Sequence, residues 1–131
     1  MQSVTSNAVA KQIVKGEFTK VTETFGNLYY VGDRLKGELH IYGMIRATAT
    51  GSYANIKFSG LQSVMQSIKP NSPMYFPCSA TGTAGSINIG GVFRVGGGNT
   101  ENFTDFLDAR ADVSTGYTNL MVDATIYGVL K

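Results

Sequence analysis

The sequence is poor in residues that support covalent, metal and acid–base chemistry. Its 131 residues include one cysteine, one histidine, three prolines and no tryptophan. A single cysteine excludes an intramolecular disulfide framework and a cysteine-based zinc site. One histidine leaves little imidazole for metal binding or proton transfer. We therefore expect a protein that is not an enzyme and carries no cofactor.

Charge and long apolar stretches are also scarce. Charged residues make up 15% of the chain, whereas ordinary soluble domains carry about 25%. The net charge is +2, and the basic residues are scattered, which excludes a cluster suited to a nucleic-acid backbone. No apolar run reaches the roughly 18 residues of a membrane span. The first residues also lack the basic and apolar regions of a signal peptide.

Small and hydroxyl-bearing residues are abundant instead. Glycine, serine, threonine and asparagine account for 47 of the 131 residues, and seven tyrosines and seven phenylalanines accompany them. This composition is typical of β-proteins with many turns. The length fits one domain with its own core.

The first fifteen residues show a different pattern from the rest. Val9 and Ile13 have the i, i+4 spacing of a helix, no glycine or proline interrupts the stretch, and Gly16 is a stop signal. This pattern predicts a short α-helix within residues 1–15. Because so short a helix is marginal alone in water, it needs a partner, either the body of its own chain or other copies around a symmetry axis.

From Gly16 onward the apolar residues alternate with a period of two. The alternation and the turn signals predict about seven or eight short strands. Gly43, inside the longest run, indicates a bulge or a bend, and residues 61–68 fit a helix or a strand equally well. We predict an all-β fold, an antiparallel, jelly-roll-like β-sandwich over residues 16–131 with no internal linker.

The last predicted strand, residues 120–130, is fairly apolar on both faces. An antiparallel strand with one face in water alternates apolar and polar residues more cleanly. One interpretation is that one face fills the core and the other contacts another subunit. The residues predicted to mediate self-association are Val9, Ile13, Met121, Tyr127 and Val129.

Candidates for catalysis and metal binding are weak. His40 and Cys78 form the one conceivable nucleophile–base pair, but Cys78 lies in no catalytic signature. The acidic residues after the glycine-rich loop match no EF-hand spacing and are interpreted as helix-capping or solvated loop charges; they are Glu101, Asp105, Asp108 and Asp112. No catalytic or metal-binding residue is predicted.

Tyrosines at or near strand ends and turns are the candidate ligand-binding residues. A tyrosine ring stacks on the apolar face of a pyranose, while neighbouring polar groups bond to its hydroxyls. The alternative is that these rings fill the core or a subunit interface. The residues assigned to ligand binding are Tyr29, Tyr30, Tyr53, Tyr75 and Tyr117.

One segment resembles a known family. Residues 2–11, QSVTSNAVAK, resemble a segment that recurs in tail-fibre and related appendage proteins of tailed bacteriophages and prophages. Residues 30–41 and 122–130 are similar to the opening and closing strands of their tip domains. The resemblance implies that residues 1–15 end a shaft and support trimerisation, and that residues 16–131 form the tip.

The resemblance also implies a function. We expect a homotrimeric virion component, made in the cytoplasm of the bacterial host, whose tip attaches to a cell-surface polysaccharide. The alternative is a structural virion module, such as a head-fibre or decoration protein, that contacts only other virion proteins. A small glycan hydrolase or esterase is a third hypothesis, which would require an aspartate or His40 in a cleft.

Overall fold

The computed structural model describes residues 12–22, 24–49, 51, 53–70, 72–82, 88–96, 107–112 and 116–131. The elements within these ranges are, in chain order, β1 (Ile13–Glu17), β2 (Thr19–Lys20), β3 (Tyr29–Asp33), β4 (Glu38–Thr48), β5 (Ala54–Ser59), α1 (Leu61–Val64), β6 (Met65–Ile68), β7 (Tyr75–Gly82), β8 (Asn88–Val95), β9 (Leu107–Ala111) and β10 (Tyr117–Leu130). Every strand pairing among them is antiparallel. The prediction of an all-β, antiparallel fold is confirmed.

The strands form one sheet that nearly closes on itself. Its order is β1-β3-β4-β10-β7-β8-β9-β5-β2, and β6 pairs with the end of β10. The two outermost strands, β1 and β2, are separated in the chain by Phe18 alone, so the two ends of the sheet lie together. A bridge between Ala49 and Ala54 joins the end of β4 to the start of β5. The result is a barrel-like sheet around one core.

Alternating side chains fill this core. Leu39, Ile41 and Ile45 of β4 are buried, and the side chains between them face outward. Strands β8 and β5 contribute the largest fully buried rings, Phe93 and Phe58. Because side chains of a strand point alternately to its two faces, each strand presents a second, outer row of residues.

The predicted N-terminal helix does not extend to residue 15. Residues 13–17 form β1, which pairs with β3 from Ile13 opposite Asp33 to Glu17 opposite Tyr29. Val14 packs partly buried against the core while Ile13 is exposed, so period-two burial and pairing with β3 override the helical spacing. Residues 1–11, including Val9, lie outside the described residues.

Gly43 was predicted to mark a bulge or a bend. The prediction of a bulge is wrong, because the ladder between β4 and β10 runs through Gly43 without a register shift. Gly43 lies opposite Val122, and pairing continues on both sides. Its φ is +151°, and a Cβ at this position would overlap the carbonyl oxygen of Asn27. The glycine is needed because the backbone before β3 lies directly against β4.

The ambiguous stretch of residues 61–68 contains both predicted elements. It begins as the single helical turn α1 after Gly60, whose φ is +117°, and continues as β6. The helix is four residues long, so within the described ranges no helix is long and apolar enough to span a membrane.

Candidate functional site

A shallow cleft lies on the outer face of strands β8 and β9. Its volume is about 380 Å³, and we call it the arginine cleft. Its lining residues are Gly91, Val92, Arg94, Arg110, Ala111 and Asp112. The cleft exists because these strands carry arginines on their outer rows while Phe93 and Ala109 fill the core between them.

Strand register fixes the relative positions of the two arginines. Arg94 of β8 lies opposite Asp108 of β9, and Val92 lies opposite Arg110. Arg94 and Arg110 are therefore diagonal neighbours on one face, a relation that places backbone positions about 7–8 Å apart. Long side chains at that separation are able to contact one ligand group together.

A buried carboxylate orients the first arginine. Asp108 is 1% exposed, and its Oδ1 accepts a hydrogen bond from Arg94 Nε at 3.2 Å, with Arg94 Nη2 at 3.0 Å. Its other oxygen, Oδ2, accepts a hydrogen bond from Asn55 Nδ2 at 2.6 Å. Arg94 itself is 39% exposed. The Asp108 carboxylate, itself fixed by Asn55, thus holds the guanidinium while part of it reaches solvent, which is how a preorganised binding group is supported.

The second arginine contacts an aromatic ring and a weakly held carboxylate. The guanidinium carbon of Arg110 lies 4.1 Å from the ring centroid of Tyr53, a cation–π contact. Its Nη2 lies 3.6 Å from Asp112 Oδ1, and the Asp112 side chain is 84% exposed. An ion pair this long and this exposed contributes little energy, so Asp112 is easily displaced.

Two of the five tyrosines assigned to ligand binding flank this cleft. Tyr53 stacks with Arg110, and Tyr75, 68% exposed, lies opposite Arg94 in the pairing of β7 with β8. The sheet therefore brings Tyr53 and Tyr75 to the same face. The arrangement combines exposed aromatic rings with oriented planar polar groups, which is the chemistry that binds saccharides.

The remaining three tyrosines lie elsewhere. Tyr30 packs partly buried against the core, with its ring centroid 4.9 Å from that of Phe18. Tyr117, at the start of β10, contacts the guanidinium of Arg46 at 4.0 Å. Tyr29 lies on the outer face of β3, with its ring centroid 5.8 Å from that of Tyr42. The structure does not bring these three to the arginine cleft.

A second outer face carries exposed apolar side chains. We call it the β4–β10 face and define it by Tyr29, Tyr42, Met44 and Met121, all more than one third exposed. Met44 lies directly opposite Met121 in the ladder. Of the residues predicted for self-association, Met121 belongs to this face.

The other predicted self-association residues are dispersed. Tyr127 and Val129 line a cavity of about 460 Å³ near the end of β10, together with Lys36 and Lys69. Ile13 is exposed on β1, at one end of the sheet.

His40 and Cys78 point to opposite sides of the sheet. His40 lies on the outer row of β4, with Nε2 2.6 Å from Asp123 Oδ1. Cys78 of β7 packs inward, partly buried against the core. They therefore form no nucleophile–base pair. In the part of the chain that the structure describes, no three His, Cys, Asp or Glu side chains group to hold a metal; Glu101 and Asp105 lie outside that part.

Burial raises the pKa of the Cys78 thiol from 9.0 to about 11. Since the thiolate is the reactive form, this rise in pKa removes about 99% of the thiolate at pH 8. We expect iodoacetamide to alkylate the folded protein about a hundredfold more slowly than the urea-denatured chain at that pH. Rates followed by mass spectrometry from pH 7 to 11 test this; equal rates in the two states would contradict it.

Sequence reasoning missed Arg94, Arg110 and Asn55. A signal was present, because Arg94 stands between Phe93 and Val95 and therefore belongs to the outer row of an apolar strand. No protein-family model matches the chain, and no curated protein is significantly similar to it.

Proposed function

We propose that this chain is the receptor-binding tip of a phage tail fibre or related appendage. It is a non-enzymatic, homotrimeric virion protein with a jelly-roll-like β-sandwich fold, and its arginine cleft attaches to a glycan on the host cell surface. The observation that carries the proposal is the Arg94 guanidinium, which buried Asp108 holds on the same sheet face as its exposed cross-strand neighbour, Tyr75. A rigid planar donor next to an aromatic ring suits a sugar, whose hydroxyls and apolar face both need partners.

The β4–β10 face supports the homotrimer. Contiguous exposed apolar side chains mark protein contacts in soluble proteins, and Met44 and Met121 are exposed as a directly opposed pair. The same face also favours the second candidate, a structural virion module such as a head-fibre or decoration protein. That candidate differs because it needs no glycan at the arginine cleft.

Two variants on different faces test the proposal together. The native chain is expected to elute with a mass near three times 14.0 kDa, about 42 kDa by light scattering, and to bind some members of a panel of bacterial cell-surface polysaccharides. Tyr75→Ala is expected to weaken glycan binding about tenfold without changing the mass, since one stacked ring contributes about 1 kcal/mol or more. Met121→Glu is expected to dissociate the trimer, because it places a charge in an apolar contact.

Matched controls separate these effects from general surface damage. Phe25→Ala removes another highly exposed ring, and Val21→Glu adds a charge at another exposed apolar site; neither is expected to change mass or binding. A trimer that binds no polysaccharide would overturn receptor binding and favour the structural module. A monomeric native chain would overturn the homotrimer.

A further inference from the structure

Around the arginine cleft, positive charges are more accessible to a ligand than negative charges are. Arg94 and Arg110 line it, and Lys57 lies on the adjacent strand β5, opposite Asp108. Of the two carboxylates among the described residues here, Asp108 is buried and bonded to Arg94 and Asn55. Asp112 is the accessible one. A ligand in the cleft therefore meets more positive than negative charge.

Arginine is the side chain best matched to an anionic oxygen group. Its planar fork donates two parallel hydrogen bonds to a carboxylate or a phosphate, and such charge-assisted bonds are about twice as strong as neutral ones. Arg94 and Arg110 are diagonal neighbours on adjacent strands, so a single anionic group between them is within reach of both guanidinium groups.

The weak contact between Asp112 and Arg110 marks the position where an anionic group of a ligand would bind. At 3.6 Å, with its side chain 84% exposed, this carboxylate supplies a negative charge where a ligand's anion would lie. An anion with better geometry would replace it at little cost, since ion pairs this exposed contribute little to stability.

We propose that the arginine cleft selects an acidic glycan, one whose carboxylate or phosphate group lies between Arg94 and Arg110. This inference rests on the proposed function and narrows its ligand class. The tyrosines flanking the cleft contact the sugar, and the two arginines bind its anionic group. Neutral saccharides contact the same rings but offer the two arginines no anionic group, so they bind more weakly.

Calorimetry with three oligosaccharide probes tests the charge of the ligand: a phosphorylated maltooligosaccharide, an oligogalacturonate and a neutral maltooligosaccharide. The two acidic probes are expected to bind at least tenfold more tightly than the neutral one, and raising the salt concentration is expected to weaken only the acidic ones. The preferred acidic probe tells whether the anion is a phosphate or a carboxylate.

Single variants are expected to weaken or strengthen the binding of the acidic probes in stated directions. Arg110→Gln is expected to weaken acidic-probe binding about tenfold, whereas Arg34→Gln, which removes an equal charge from an exposed turn outside the cleft, is expected to have no effect. Asp112→Asn is expected to strengthen it two- to fivefold by removing the competing carboxylate. Arg94→Lys keeps the charge beside Asp108 but loses the fork, so binding falls while folding is retained.

The outcomes separate this inference from the function on which it rests. Equal or tighter binding of the neutral probe, or no response to Arg110→Gln and Asp112→Asn, would overturn the selection of an acidic glycan while leaving glycan binding intact. If neither these probes nor any polysaccharide of the panel binds, both the inference and the receptor-binding function fail.

Discussion

Gly43→Ala is expected to lower the free energy of unfolding by about 3–5 kcal/mol. The backbone at Gly43 has a φ of +151°, where an L side chain is strained. A Cβ there would also overlap the carbonyl oxygen of Asn27 and lie 3.4 Å from the Cα of Leu28. Gly43 belongs to β4, and Asn27 and Leu28 lie between the Gly26 bridge and β3. Neither backbone segment can therefore move freely to relieve the overlap.

Gly51 provides the matched control. Its φ is +143°, close to that of Gly43, but a Cβ at Gly51 would meet nothing within 4 Å. Gly51→Ala therefore carries the conformational strain alone, about 1–3 kcal/mol. Urea denaturation of both variants at one protein concentration isolates the steric part. Equal losses would contradict the close approach of the backbone before β3 to β4.

The Gly43→Ala substitution is also expected to affect the β4–β10 face. The segment packed at Gly43 forms a bridge between Gly26 and Ile45 and leads directly into Tyr29. If that segment is displaced, the relation of Tyr29 to Tyr42 changes. We therefore expect Gly43→Ala to weaken the proposed self-association as well as folding, whereas Gly51→Ala is expected to affect folding alone.

Much of the sheet was predictable because alternation is a local property. The last strand shows this, because residues 120–130 were predicted as a strand and form most of β10. Strand β1 was missed because residues 9–14 satisfy helical spacing while residues 13–17 satisfy alternation. Only pairing with β3, which is remote in sequence, decides between them.

The candidate site was predictable only in its residue types. Tyrosine chemistry pointed to Tyr53 and Tyr75, but nothing local showed that these two share a face and that Tyr30 packs inward. Asp108 was interpreted as a loop charge, because its burial depends on Arg94 and Asn55 from two other strands. Ion pairs across a sheet follow from register, and the register of β8, β9 and β5 is set by long-range pairing.

Arg94→Met is expected to destabilise the domain by about 3 kcal/mol or more. The substitution leaves the Asp108 carboxylate buried with only Asn55 as a described hydrogen-bond donor, and an uncompensated buried charge is costly. Replacing both partners, as Arg94→Met with Asp108→Leu, removes the charge as well as its partner. The double variant is expected to lie within about 1 kcal/mol of the native chain.

Urea denaturation of the native chain, both single variants and the double variant gives the coupling energy of the pair. A double variant as unstable as Arg94→Met would contradict this expectation and show that the pair stabilises the fold. If stability returns in the double variant while glycan binding stays lost, the ion pair is not required for folding. The role left to the pair is then at the cleft, because apolar residues fill the same space at equal stability but offer a ligand no donor.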